Sequence, residues 1–244
     1  MADYTRLSRP PLREAILDIQ TTDTLPPSFA KTLEGQIIPG YERVGPVRQS
    51  QFSFQIGPTL DPQASVMADE ILGFRYDSPD KSRVFQLKRN GMTHSIVRGY
   101  SDWDQLKTSA KTMWDRYIAS AGQVHIQRLA LRYINVIDLP LGADFDEYLT
   151  SGPKIPPELP QLVASFFHRI VIPFPEMRLE AIVTQATEPQ PPTHWSLVLD
   201  IDVYGQDQLA GNDEEMWARF DAIRDIKNLI FFSFVTEKAL TPYR

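Results

Sequence analysis

The stretch R-L-A-L-R-Y-I-N-V-I-D-L-P, Arg128 to Pro140, decides how the chain is interpreted. Positions of one parity are mostly apolar, namely Leu129, Leu131, Tyr133, Asn135 and Ile137. The alternate positions include the charged residues Arg128, Arg132 and Asp138. This alternation predicts a β-strand with one apolar side and one charged side. Because the strand lies just past the midpoint of 244 residues, it divides the other elements into two groups.

The composition indicates an ordinary globular protein, with 42% hydrophobic and 23% charged residues. A net charge of −6 argues against indiscriminate binding to duplex nucleic acid, which needs a dominating basic surface. The absence of cysteine excludes disulfides, thiolate metal sites and cysteine nucleophiles. No apolar run approaches the length of about 18 residues that a membrane span needs, and the N-terminus lacks a signal-like apolar core. We therefore expect a cytoplasmic protein without a membrane partner.

Hydrophobic periodicity and turn residues divide the chain into two similar series of elements. The first series is a strand at 12–20, a helix at 28–37, strands at 47–56, 71–76 and 83–97, and a helix at 101–122. The second is a strand at 128–140, a helix at 144–149, strands at 166–172, 177–185 and 195–204, and a helix at 213–240. Residues 58–70 are predicted to be a long loop. Asn90-Gly91 is either the tip of a hairpin or a bulge.

This element order predicts an α+β protein built from two pseudo-repeated β-α-β-β-β-α halves, residues 1–122 and 123–244, joined in one globular unit. We expect the strands to form antiparallel sheet with two long helices on one face. The other face would then carry the charged side chains of several strands. Such a face is common in antiparallel sheets and is also a platform for a partner.

Four motifs occur in one order along nearly the whole chain: R-P-P-L-R-E-A-I from Arg9, G-Y-S-D-W-D-Q-L from Gly99, M-W-D-R-Y from Met113 and L-R-Y-I-N-V-I-D-L-P from Leu131. Together they resemble a sporadically distributed bacterial family of uncharacterised proteins. The resemblance implies no particular activity. Patchy occurrence of that kind is typical of mobile-element or defence-associated genes.

Asp200 and Asp202 are the candidate metal ligands. At i and i+2 on a strand, both carboxylates point to one side about 7 Å apart, which is a spacing that a divalent ion can bridge. His94, His168 or His194 would be needed to complete such a site. The alternative is that two acids simply lie on a solvated strand face.

Glu14 and Arg132 are the candidate catalytic residues, because each belongs to one of the most characteristic motifs. If the strands that open the two halves are neighbours, these side chains can pair. A carboxylate oriented by Arg132 would then be available for chemistry. The alternative is a structural ion pair that specifies the register of the two strands.

The segment from 71 to 99 carries an excess of basic residues, and aromatic residues are interleaved with them. The candidate binding residues are Arg75, Arg83, Lys88, Arg89 and Arg98, together with Arg128 on the central strand. Bases that stack on aromatic rings beside such cations are typical of single-stranded nucleic-acid sites. Solvated hairpins beside the core are the alternative interpretation.

These observations favour a non-catalytic binding or regulatory module that engages a protein partner through the exposed face or edge of the sheet. A metal-dependent hydrolase using Asp200 and Asp202 is the first alternative, and single-stranded nucleic-acid binding through the 71–99 hairpins is the second. No cofactor is predicted, because the chain contains no glycine-rich phosphate loop and no metalloprotease motif. Homodimerisation through a strand edge is a further alternative, and nucleic acid is the disfavoured class of partner.

Overall fold

A computed structural model describes residues 7–57, 60–188, 194–206, 209–211 and 214–244, with side chains at all of these positions except 49–57, 60–69 and 210. The strands are β1 (Leu12–Thr21), β2 (Glu42–Gly57), β3 (Leu60–Asp77), β4 (Arg83–Lys88), β5 (Gly91–Ile96), β6 (His125–Pro140), β7 (Phe167–Phe174), β8 (Leu179–Glu188), β9 (His194–Gly205) and β10 (Leu209–Ala210). The helices are α1 (Pro27–Glu34), α2 (Trp103–Ala121), α3 (Glu214–Phe234) and α4 (Glu237–Leu240), with single 3-10 turns at Phe145–Glu147, Pro175–Met177 and Thr241–Tyr243.

All described strands belong to one antiparallel sheet with the order β2-β3-β4-β5-β1-β6-β9-β8-β7, and β10 pairs with β6 beside this path. β1 and β6 meet in its interior, with Leu17 opposite Leu131 and Ile19 opposite Leu129. These four side chains are fully buried. The alternating pattern that predicted the central strand is therefore the pattern of one buried side of the sheet.

The predicted fold class of two pseudo-repeated halves with two long helices is wrong. The protein has a single continuous sheet, and the two series of elements are not equivalent. The first contributes the strands β1 to β5 and the helices α1 and α2. In the second, the helix predicted at 144–149 is only a 3-10 turn, because Leu149 leaves the helical path to form a backbone bridge with Val235. The predicted strand at 83–97 is a hairpin, β4 and β5, with Asn90-Gly91 at its tip.

The loop predicted at 58–70 is also wrong over the described residues. β3 begins at Leu60 and pairs with β2 along nearly its whole length. The segment lacks a clear apolar alternation, but the neighbouring strand satisfies its backbone hydrogen-bonding groups, and this favours extended chain without help from the side-chain pattern. Residues 58 and 59 lie outside the described part.

The closing helix predicted at 213–240 is interrupted, and its first residue lies outside the described part. α3 ends at Phe234, and α4 begins after Thr236, whose hydroxyl accepts a hydrogen bond from the Ala239 amide. The Thr236 amide donates to the carbonyl of Tyr148 at 3.0 Å. The backbone at 235–236 therefore bonds to the neighbouring segment instead of continuing the helix. An apolar stripe does not reveal such a break.

The helices α1, α2 and α3 pack on the side of the sheet that contains Leu17 and Leu131, which we call the helix face. α2 and α3 are joined at Asp221, which accepts hydrogen bonds from Trp103 Nε1 at 2.8 Å and from Lys107 Nζ at 2.8 Å. No helix in the described ranges is long and apolar enough to cross a bilayer. The opposite side, which we call the open face, carries the alternate residues of each strand.

Gly73 allows β3 and β4 to approach closely. A Cβ atom at this position would lie 1.9 Å from the carbonyl oxygen of Leu87, whereas a Cβ at Gly45 in β2 would meet nothing within 4 Å. Neither glycine has a positive φ. The two positions therefore differ in space rather than in backbone conformation.

We expect Gly73→Ala to lower the free energy of unfolding by about 2–3 kcal/mol, because backbone atoms have to move apart. Gly45→Ala is the matched control and should change it by less than about 1 kcal/mol. Urea denaturation of both variants measures the difference. Equal midpoints would show that β3 and β4 are not packed as described.

His94 is a buried histidine on the helix face. Its Nδ1 lies 3.2 Å from the Val84 carbonyl oxygen and its Nε2 lies 2.7 Å from Ser109 Oγ of α2. Because a carbonyl oxygen can only accept, Nδ1 carries the proton of the neutral ring. The ring stacks on Phe85 with centroids 4.0 Å apart. Burial lowers the pKa of His94 to about 4, the Val84 hydrogen bond opposes this change, and the charge of Arg83 adds to it.

This depressed pKa predicts a component of acid sensitivity. In the unfolded chain a histidine binds a proton below a pH of about 6.5, whereas folded His94 resists protonation, so its contribution to stability is lost as pH falls from about 6.5 towards 4. The loss should approach about 3 kcal/mol. His94→Gln should remove this component, and denaturant titrations of both proteins between pH 4 and 7 measure it. Parallel stability profiles would contradict the prediction.

Candidate functional site on the open face of the sheet

A connected set of charged and polar side chains crosses the middle of the open face. Asp18 of β1 lies at its centre. Its carboxylate accepts hydrogen bonds from Lys88 Nζ at 3.1 Å, Thr93 Oγ1 at 2.6 Å and Gln20 Nε2 at 2.9 Å. The guanidinium of Arg128 adds a longer contact at 3.4 Å. The Asp18 and Lys88 side chains are only 14% and 12% exposed, so this charge cluster is largely withdrawn from solvent.

Arg128 extends the cluster onto β9. Its second terminal nitrogen donates to Asp202 Oδ2 at 3.1 Å, and its guanidinium lies 4.6 Å from the ring centroid of Tyr204. Burial raises the pKa of Asp202, although Arg128 and Arg132 act in the opposite direction. Asp202 Oδ1 is buried without a hydrogen-bond partner among the described residues. This unpaired buried oxygen agrees with the raised pKa of Asp202, because burial without a donor disfavours the charged carboxylate.

Arg132 and Glu14 both lie on the open face, but they do not form the predicted catalytic pair. Arg132 makes a two-pronged contact with Asp200, with Nη2 to Oδ2 at 2.6 Å and Nε to Oδ1 at 2.9 Å. This hydrogen bond is the main cause of the raised pKa of Arg132, to which Glu14 contributes only through its charge. A role for Glu14 in catalysis stays a hypothesis without supporting geometry.

The two candidate metal ligands lie side by side as the strand pattern predicts, but each is engaged by an arginine. Asp200 pairs with Arg132, and Asp202 pairs with Arg128. The described residues contain no group of three or more His, Asp or Glu side chains that could hold an ion. The contacts therefore favour ion pairing over a metal centre at this position.

The histidines that could have completed a metal site lie elsewhere. His94 is on the helix face, where it bonds to Ser109. His168 lies on β7 beside Gln185 at 3.3 Å, and His194 lies 3.7 Å from Asp138 at the start of β9. None of them contacts Asp200 or Asp202.

The candidate basic residues all have protein partners. Arg75 pairs with Asp77, Arg83 bonds to Tyr41, Lys88 and Arg128 bond to Asp18, Arg89 pairs with Glu70, and Arg98 donates to the carbonyl of Asp80. Arg89 is only 6% exposed and also donates to the Leu25 carbonyl at 2.6 Å. A phosphate would have to displace these acceptors. The arrangement does not favour nucleic-acid binding.

The edge strand β7 is a feature that the sequence reasoning did not single out. It is the last strand of the sheet and pairs only with β8 in the described ranges. The Thr187 amide donates to the Phe166 carbonyl at 3.2 Å, which fixes the alternation of hydrogen bonds along the pair. The backbone groups of Phe167, Arg169 and Val171 therefore point away from β8. The next outward position is Pro173, which has no amide proton to offer.

The same outward positions place apolar side chains on the open face. Phe167 is 71% exposed and Val171 is 50% exposed. Behind them lie Ala186 and Ile182 of β8 and Val198 of β9, all of them half-buried, with Phe167, Ala186 and Val198 in one row of the sheet. We call these five residues the β7 patch. Pro173 directly follows the predicted strand at 166–172 and lies within β7, and a proline in that position was the available signal that this strand is an edge.

No family model, no curated protein and no solved structure shows a significant match to this chain. The resemblance to a bacterial family therefore stays a prediction.

We expect Asp18→Asn to lower the free energy of unfolding by about 2 kcal/mol or more, because it leaves Lys88 and Arg128 partly buried without their shared carboxylate. Glu188→Gln is the matched control on the same face. Its pair with Arg13 is exposed, so the loss should be below about 1 kcal/mol. Adding Lys88→Met to Asp18→Asn should recover part of the stability. Chemical denaturation measures all three, and equal losses for the two single variants would contradict the prediction.

Proposed function

We propose that this protein is a non-catalytic binding module that receives an extended segment of a partner protein along β7. The observation that carries the proposal is the combination of outward backbone groups in β7 with the exposed side chains of Phe167 and Val171. An extended segment can pair with such an edge, where main-chain hydrogen bonds supply affinity. The β7 patch then supplies the contacts that select the segment.

The energetics suit a reversible protein contact. Burying a side chain such as Phe or Val contributes about 1.5–3 kcal/mol when burial is complete. Phe167 and Val171 are the two most exposed members of the patch, so they have the most to gain. Ile182 and Val198 are half-buried and would complete the floor of the contact.

A different protein fits this edge better than a second copy of the chain. Two antiparallel copies of β7 that use the amides of Phe167, Arg169 and Val171 would be centred on Arg169. Each Arg169 would then lie directly opposite its copy, and like charges in that position are destabilising. Moving the centre to Val171 brings Pro173 into the pairing, where an amide is missing. An acidic or neutral residue opposite Arg169 removes this conflict.

The other two hypotheses receive less support from the geometry. The carboxylates of Asp200 and Asp202 are held by arginines, and the basic residues of the 71–99 hairpins bond to protein acceptors. The association with defence or mobile elements stays a prediction that rests on the family resemblance alone.

Val171→Pro tests the proposal at the backbone. The substitution removes one outward amide without touching the hydrogen bonds between β7 and β8, and Pro173 already occupies the next outward position. Val171→Thr is the matched control, because it keeps the amide and the branched shape. In pull-downs from the native host, we expect wild type and Val171→Thr to retain the same stoichiometric partner. We expect Val171→Pro to bind it at least about tenfold more weakly, a change of about 1.4 kcal/mol.

Phe167→Ser tests the patch separately, since it removes the most exposed side chain while leaving every backbone group in place. It should weaken partner binding and leave the melting temperature nearly unchanged, as expected for an exposed position. Light scattering of the purified protein distinguishes self-association. Equal partner retention by Val171→Pro and wild type would refute pairing along β7, and a dimer lost in Val171→Pro would identify a second copy as the occupant.

A further inference from the structure

A cavity of about 440 Å³ opens on the helix side of the sheet, between β6, the first turn of α2 and the middle of α3. Its walls combine aromatic rings with charged and amide groups. They include Tyr100, Tyr133, Arg224, Lys227 and Asn228. The volume lies within the range of about 300–1,000 Å³ that is usual for small-molecule sites. None of these residues belongs to the open face or to the β7 patch.

Lys227 projects from α3 into this cavity. Its Nζ lies 3.9 Å from the centroid of the Tyr133 ring and donates to Asn228 Oδ1 at 2.5 Å. It makes no ion pair with a carboxylate in the described part of the chain. Tyr133 in turn shares a hydrogen bond of 3.1 Å with the hydroxyl of Tyr100. The amine is therefore held between an aromatic ring and a neutral amide.

Burial without a carboxylate partner in the described chain disfavours the charged form of the amine. Burial lowers the pKa of Lys227 to about 7, the charge of Arg224 lowers it further, and Asp225 opposes both effects. At neutral pH Lys227 therefore carries the unprotonated amine far more often than an ordinary lysine does. A long apolar side chain would fill the space beside Tyr133 without the desolvation cost of an amine. Lysines of this kind are suited to nucleophilic attack on carbonyl carbon.

We propose that the cavity binds small carbonyl compounds that carry a carboxylate, and that Lys227 holds them by reversible imine formation. The lone pair of the neutral Nζ attacks the carbonyl carbon, so that a C–N bond forms as the C–O π bond breaks, and one proton passes from the nitrogen to the oxygen to give a carbinolamine. The C–O bond then breaks, the hydroxyl group leaves as water with the remaining N–H proton, and a C=N bond forms; addition of water reverses the sequence. The reaction is a condensation, so no oxidant or reductant takes part.

Arg224 supplies the selectivity for an anionic compound. Its guanidinium lines the same cavity one helical turn from Lys227 and is only loosely engaged, with Nη1 3.3 Å from Asp225 Oδ1. A planar guanidinium can accept a carboxylate in a two-pronged contact. The carbonyl carbon of a 2-oxo acid would then lie close to the amine. Arg224 and Lys227 are three residues apart, so both side chains lie on one face of α3.

Reductive trapping tests the proposal on the wild-type protein. Glyoxylate and the uncharged acetaldehyde are each incubated with the protein at pH 7 in the presence of cyanoborohydride, and the modified lysines are identified by peptide mass mapping. Lys238 is the internal control, because it is exposed and its pair with Glu147 raises its pKa. We expect glyoxylate to modify Lys227 at least about tenfold faster than Lys238. Modification of Lys227 no faster than Lys238 would overturn the proposal.

The role of Arg224 in selecting a carboxylate is tested by the ratio of the rates at which glyoxylate and acetaldehyde modify Lys227. In Arg224→Gln we expect the preference of Lys227 for glyoxylate over acetaldehyde to fall about tenfold, since the carboxylate loses its partner. Using the ratio cancels the effect of the substitution on the amine itself. Lys227→Met keeps a side chain of similar length without the desolvation cost of the amine, so it should abolish trapping in the cavity without lowering the melting temperature. An equal reagent preference in wild type and Arg224→Gln would remove Arg224 from the site and overturn the carboxylate specificity.

Discussion

The pairing of β1 with β6 is the constraint on which the rest of the structure depends. It sets Leu17 against Leu131 and Ile19 against Leu129 on the helix face, and it sends the alternate residues of both strands to the open face. Because side chains on a strand alternate, a shift of one residue would exchange the two sides and bury charge under the helices. The same register brings Asp18 within reach of Arg128. The core and the open-face cluster therefore depend on one alignment.

The charged cluster contributes more to the specificity of the β1–β6 register than to the stability of the sheet. Asp18, Lys88 and Arg128 are largely withdrawn from water, and the cost of desolvating such groups offsets much of their mutual attraction. A misaligned sheet would leave the same groups buried and unpaired, which is far more costly. Asp202 shows how desolvation and charge attraction compete. Burial raises its pKa, although the charges of two nearby arginines act to lower it. The charged side chains of the open face therefore pair mainly with one another.

The sequence predicts local elements better than it predicts their places in the sheet. The alternation at 128–140 identified β6 because its two sides differ sharply in polarity, and the stripe at 101–122 identified α2. It could not show that residues 83–97 fold back on themselves, since a turn at Asn90-Gly91 and a bulge leave the same pattern. Nor could it show that Arg132 selects Asp200 over Glu14, because that choice depends on β9 lying next to β6. The sequence does not single out Lys227 for a related reason, because the residues that surround its amine belong to β6 and α2, which are far away in sequence.

The contrast between β6 and β7 shows how the position of a strand in the sheet determines which of its groups are available. β6 has a neighbour on each side, so its backbone is fully engaged and only its side chains vary in role. Tyr133 faces the cavity beside Lys227, while the adjacent Arg132 faces the opposite side of the sheet. β7 has one neighbour, so half of its backbone groups face outward, and its apolar side chains lie beside them. An apolar edge of this length is an aggregation hazard unless something limits indiscriminate pairing. Pro173, which has no amide proton, and Arg169, whose charge opposes a second Arg169 across the edge, provide that limit.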